Sequence, residues 1–161
     1  MEPITIVILA TSLLMGFWPW ILDFFYTKII PWCRQQVSSK VADVLAEAFT
    51  FLDKGITAIR IPLKTLWRSL KQNFLGSKMV VTKTSATTVS GKITTLVRDE
   101  NGKLMQSVIT EELNWDDLPP EIREELIRQN SNTAQMDLKE SVEKQFHKKA
   151  REQGVVLEMA N

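Results

Sequence analysis

Along the chain the apolar positions change period twice: an unbroken apolar run at the start, a helical period in the middle, and strand-like alternation beyond about residue 78. The opening run, Ile4 to Leu22, holds nineteen residues without a charge. At ~1.5 Å per residue it makes a rod of about 28 Å, close to the roughly 30 Å hydrocarbon core of a bilayer. Pro3 suits a first helical turn and Pro31 a stop, so the pattern predicts a transmembrane helix from about residue 3 to 30, within a membrane segment 1–32. Seven of the thirteen aromatic residues fall between Phe17 and Trp32, which fits an interfacial belt with Trp18, Trp20 and Trp32 at the membrane surface. A cleavable leader is disfavoured by the Met1-Glu2-Pro3 start and by bulky residues where a cleavage site needs small ones. A buried core helix, or a re-entrant hairpin broken at Pro19, competes with the spanning helix for the same run.

Lys28, Arg34 and Lys40 follow the run and no Lys or Arg precedes it, which predicts the N-terminus outside and the C-terminal domain cytoplasmic. Within the predicted helix, Ser12, Gly16, Pro19 and Asp23 recur at spacings of four, three and four, on one face. Small and polar residues on one face are how helices meet in lipid, so these four are the expected helix–helix interface. A plainer expectation leaves Asp23 at headgroup depth, where a carboxylate costs little.

The segment 33–77 carries two amphipathic patterns. Val41, Val44, Leu45, Ala48, Phe49 and Leu52 sit at helical spacing, with serines before them for an N-cap and Gly55 after them for a C-cap. In a second helix beginning near Pro62, Leu63, Leu66, Trp67, Leu70 and Phe74 form the apolar face and Lys64, Arg68 and Lys71 flank it. An apolar face containing Trp and rimmed by cations matches a helix lying in a membrane interface, with Arg60, Lys64, Trp67, Arg68 and Lys71 as its contacts. The competing expectation is that this face packs internally.

Residues 78–161 read as a small α+β domain. "KMVVTKT" and "KITTLVRDENGKLMQSVITEEL" alternate as strands, and Asn101-Gly102 predicts a two-residue type I′ hairpin. The register that follows opposes Val97 to Gln106 and collects Ile93, Val97, Leu104 and Val108 on the buried face. A third strand near Met79 to Thr84, or one at the end of the chain, completes the sheet. "NWDDLPPEIREELIRQ" starts a helix with acids early and Arg128 late. A second, polar helix from about Ala134 to Gln153 has only the thin seam of Leu138, Val142, Phe146 and Ala150, which reads as a partner contact. The fold class is therefore α+β: an N-terminal transmembrane helix, amphipathic basic helices, a small antiparallel sheet and two C-terminal helices.

Charge sharpens this division, since residues 54–98 hold nine basic side chains and no acidic ones whereas residues 99–161 carry a net −6. Nine unopposed cations admit nucleic acid, but the aromatics lie on an apolar face rather than spread for base stacking, so that partner is disfavoured. Cys33 is the single cysteine and His147 the single histidine. They fall at the membrane boundary and in the polar helix, too far apart in the pattern for a nucleophilic pair, and His147 reads as a surface residue. No phosphate loop, dinucleotide fingerprint or metal-ligand spacing occurs, so no catalytic residue, cofactor or small-molecule substrate is predicted.

The pattern predicts a non-enzymatic, single-pass membrane scaffold or assembly subunit, whose partners are membrane lipid and either copies of itself or other protein subunits. A homo-oligomeric pore lined by Ser12, Gly16 and Asp23 is a second possibility. A third is a membrane-tethered regulator that binds an enzyme or nucleic acid through residues 54–98.

Overall fold

Thr5, Ile6, Val7 and Ile8 are all β-branched, a composition that packs better on a pleated strand than in a helix. They form β1 (Thr5–Ile8), which runs parallel to β5 (Thr133–Asp137) with Thr5 opposite Thr133 and Ile8 opposite Met136. A computed structural model describes these four residues, as backbone, and residues 17–157. The expectation of one helix from residue 3 to 30 is thereby corrected. Among the described residues no helix is long and apolar enough to cross a membrane.

Helix α1 (Trp18–Phe24) continues through one π-helical turn (Phe25–Ile29) into α2 (Ile30–Gln36). Pro31 accounts for the widened turn: it has no N–H for the carbonyl four residues back and its ring crowds that carbonyl. The backbone bonds instead from the Ile30 N–H to Phe25. Phe17, Ile21, Phe24, Phe25 and Ile29 are buried in the protein core, so the aromatic residues expected to face headgroups face the rest of the chain. Trp18, Trp20 and Trp32 are partly buried and pack against that core.

The amphipathic helices form where their patterns place them. Helix α3 (Ser39–Lys54) starts at Ser38, whose hydroxyl oxygen accepts from the Val41 N–H at 3.2 Å, and stops at Gly55, whose φ of +97° suits glycine. Helix α4 (Leu63–Asn73) follows Pro62 and buries Leu63, Leu66, Trp67 and Leu70. Helix α5 (Pro120–Arg128) starts after Pro119, and α6 (Leu138–Glu152) is capped by the Asp137 carboxylate, which accepts from the Glu140 N–H at 3.0 Å.

β2 (Phe74–Lys83), β3 (Thr88–Arg98) and β4 (Leu104–Asn114) pair antiparallel in sequence, and β5 pairs antiparallel with β2, so the sheet runs β1-β5-β2-β3-β4. One face takes Met79, Val81, Ile93, Val97, Leu113, Ala134 and Met136 into a single core shared with the helices, a core that draws on all three sequence segments. Phe51 and Trp67 close it against Phe146, with ring centroids 4.7 and 5.2 Å apart.

The hairpin register differs from the expectation by one residue. Val97 stands opposite Met105, and Ile93 opposite Ile109. Asp99 is the reason: its carboxylate accepts from the N–H groups of Asn101 (2.9 Å) and Lys103 (2.8 Å). Its own N–H donates to the Lys103 carbonyl. Gly102 alone takes positive φ, at +86°, so the loop is a type I turn closed by a glycine bulge rather than type I′. Met105 and Ile109 therefore turn toward the core, and Leu104 and Val108, expected inside, stand 54% and 49% exposed.

Candidate interaction surface

Strand periodicity puts the even positions of β3 and β4, and of β2 beyond the register shift at Phe74/Gly76, on the face away from the helices. None of Lys78, Val80, Lys92, Thr94, Leu96, Gln106, Val108 or Thr110 is buried. This face sets Leu96 and Val108 diagonally across β3 and β4, with Val80 apart from them opposite Lys92, among threonines and two lysines. It ends at β4, an edge strand paired over its whole length only with β3. The seven residues Leu104 to Thr110 carry no charge and no proline, so this stretch of the edge lacks the devices that usually block strand addition, and charge begins at Glu111.

The predicted site residues are distributed rather than brought together. Leu138, Val142 and Phe146 are fully buried within this chain, so the seam expected to meet a partner is occupied by α6's own contacts with the sheet and α3. Pro19 and Asp23 are exposed on α1, whereas Ser12 and Gly16 lie outside the described residues. Arg60, Lys64 and Arg68 are exposed, but Trp67 is only 5% exposed, its ring edge-on to His147 at 4.5 Å. The apolar half of α4 is thus taken by the core, the competing expectation for that helix, and Lys71 lies over the Trp67 ring at 5.4 Å. The cations of residues 54–98 are spread along the chain: Lys54 ends α3, Arg60 precedes α4, Lys64, Arg68 and Lys71 lie on α4, Lys78 and Lys92 on the outer sheet face, and Lys83 covers the Trp115 ring at 4.3 Å.

A cleft of about 550 Å³ opens where the start of α3, the end of α4 and the β3–β4 turn meet, lined among others by Lys40, Gln72, Asn73, Arg98 and Glu100. Its polar groups are partly committed to holding the fold. The Ser38 hydroxyl donates to the Glu100 carboxylate, and the Asn73 amide donates to the Arg98 carbonyl at 2.9 Å. These bonds tie the hairpin turn to the helices.

Cys33 and His147 sit in separate environments. The Cys33 thiol is buried and faces the Ser38 carbonyl at 3.9 Å, and burial pushes its pKa up to about 11. His147 is half-buried rather than a surface residue, and its Nε2 has no hydrogen-bond partner among the described residues. Desolvation chiefly, then the charges of Arg151 and Lys71, hold its pKa below the ordinary value. Among the described residues no group of three or more histidine, cysteine or carboxylate side chains is placed to hold a metal.

The open edge of β4 is not among the sites the sequence pattern predicts, although the uncharged stretch "LMQSVIT" after a hairpin turn is the feature that marks it. No family model, curated protein or solved structure matches the chain.

Proposed function

We propose that this chain is a non-enzymatic scaffold or assembly subunit that docks protein partners on its α+β domain. The observation that carries this reading is the asymmetry of the sheet: one face is packed against helices, while the other offers Val80, Leu96 and Val108 beside an edge strand whose first seven residues carry no charge. Sheet faces and edges of this kind recruit partners by main-chain pairing and side-chain pockets. The test is the mass of the full chain purified in mild detergent. A particle heavier than one chain of 18.4 kDa is expected. A strictly single-chain particle, with no change on adding any purified partner candidate, would overturn the reading.

A second reading adds attachment to a membrane, with the folded domain on the cytoplasmic side, and the uncharged run Ile4–Leu22 is the observation in its favour. Because β1 and α1 use both ends of that run in the fold, attachment here does not rest on a single spanning helix. Carbonate extraction decides it: intact protein released to the soluble fraction removes the membrane from the function. A pore lined by Ser12, Gly16 and Asp23 has less in its favour, since it asks for one helix through all three and α1 starts at Trp18.

A further inference from the structure

We infer that β4 is a dimerisation edge: two copies of this chain pair β4 with β4, antiparallel, about a two-fold axis at Ser107, an inference that rests on the assembly reading and names its partner. The strand is regular, eleven residues long and without a bulge, and its pairing with β3 shows no register shift. At the sheet's opposite edge, β1 is only four residues long. A long edge strand with an uncharged, proline-free stretch is an association-prone element of a sheet, and Leu104 to Thr110 is such a stretch.

The side chains select the register. With Ser107 opposite its own copy, Lys103 falls opposite Glu111 and Met105 opposite Ile109, each pair occurring twice by symmetry. Lys103 is exposed, and Glu111 is 31% exposed with only a long contact of 3.9 Å to Lys28. Met105 and Ile109 are the two partly buried apolar residues of β4 on the helix side, so their pairing extends the core across the axis. On the outer face, exposed Leu104 meets Thr110 and exposed Val108 meets Gln106. Sliding the axis to Val108 instead puts the Glu111 carboxylate against Met105, which wastes both charges. A slip that opposes odd to even positions turns the second sheet over and separates the two helix layers. The Ser107 register alone joins unlike charges and like apolar groups, and it yields a continuous sheet with five strands from each copy.

The decisive test uses sedimentation equilibrium of the full chain with charge swaps. Lys103 and Glu111 are eight residues apart on one extended strand, about 27 Å at ~3.4 Å per residue, so they do not meet within a chain. Lys103→Glu or Glu111→Lys alone sets like charges opposite each other and is expected to weaken dimerisation roughly ten-fold. The double swap restores the pair in reverse and is expected to recover most of that loss, which no intramolecular role of either residue produces. Should a single swap fail to fold, the Leu104→Cys/Thr110→Cys chain supplies an independent readout: mild oxidation is expected to give a covalent dimer, with neither substitution alone giving one. A dimer indifferent to the swaps and without the crosslink overturns the β4 register and leaves the assembly reading standing. A wild-type chain that stays monomeric at all concentrations and also ignores other proteins overturns both.

Discussion

The ring of Phe25 stacks on that of Phe49 with centroids 4.5 Å apart and planes 18° from parallel. Phe25 opens the π turn and Phe49 lies on α3, so this contact fixes the N-terminal helix against the first amphipathic one. Phe74, at the start of β2, meets the same Phe25 ring edge-on at 5.8 Å. Three elements of different periodicity are thus locked by one fully buried side chain. Phe25→Ala is expected to cost about 3–5 kcal/mol by loss of apolar contact and the cavity left behind. Urea unfolding followed by tryptophan fluorescence measures it. An unchanged midpoint would detach this helix from the core.

Ser38 joins two structures through one hydroxyl: its oxygen caps α3 and its proton goes to Glu100, sixty-two residues away in the chain. Ser38→Ala removes the cap and the tie together and is expected to cost about 1–2 kcal/mol. Glu100→Ala leaves the cap intact and removes only an exposed residue's bond, so its cost should be under about 1 kcal/mol. Chemical denaturation of the two variants side by side checks the order, and a larger effect at Glu100 would contradict it.

Gly102 has open space around it, with nothing within 4 Å of a Cβ built there, so a substitution meets no clash. Its φ of +86° is the only obstacle. Gly102→Ala is expected to destabilise the chain by about 1–2 kcal/mol from backbone strain alone. D-Alanine introduced by ligation, whose mirror geometry favours positive φ, should restore or exceed wild-type stability. If the L- and D-variants behave alike, the bulged turn is wrong.

How much of the fold is legible in the sequence follows from where the determinants lie. Helix α3 is readable to its ends because Ser38, the Val41–Leu52 stripe and Gly55 are local signals that agree. The same holds for the start of α5 at its paired prolines and for the apolar face of α4. The start of the chain misleads because a charge-free run of membrane length has the same composition as a strand plus a core helix. The β-branched quartet Thr5–Ile8 is the discriminating detail. Strand β5 is hidden, since "TAQMD" turns only Ala134 and Met136 inward and owes its conformation to β2 and β1 on either side. The hairpin register hangs on one side chain, Asp99, whose two bonds to the turn override the Asn-Gly preference. The interaction surface is least legible of all, because exposure of Leu104 and Val108 is a consequence of that register.

His147 titrates in an unfavourable place for a charge, against Trp67 and between Arg151 and Lys71, with Glu143 offering weaker opposition. Its folded pKa lies below the ordinary 6.5 of an unperturbed histidine, so the unfolded chain binds a proton that the folded chain refuses. The stability this group supports is present above about pH 6.5 and falls as the pH drops through that value toward the folded pKa. Urea midpoints measured from pH 8 to pH 5 should therefore fall, and His147→Phe should flatten that part of the profile. A profile identical in both chains would remove His147 from the pH response.

Cys33 supplies the opposite sign. Its thiol is buried against the Ser38 carbonyl, and desolvation raises its pKa from 9.0 to about 11, with Glu100 adding to the rise and Arg34 opposing it. At pH 8 only roughly one thiol in a thousand is ionised, and the thiolate is the species that attacks. A soluble aromatic disulfide reagent is therefore expected to leave Cys33 untouched in the folded chain and to label it fully in urea. Because the folded pKa is the higher one, the neutral thiol favours the folded state below pH 9, and this contribution declines as the pH rises from 9 toward 11. Cys33→Ala should lower stability at neutral pH through the small cavity it opens, yet lose less of what remains between pH 9 and 11 than the wild type does. Rapid labelling of the folded chain at pH 8 would show that the junction of α2 and α3 opens on its own.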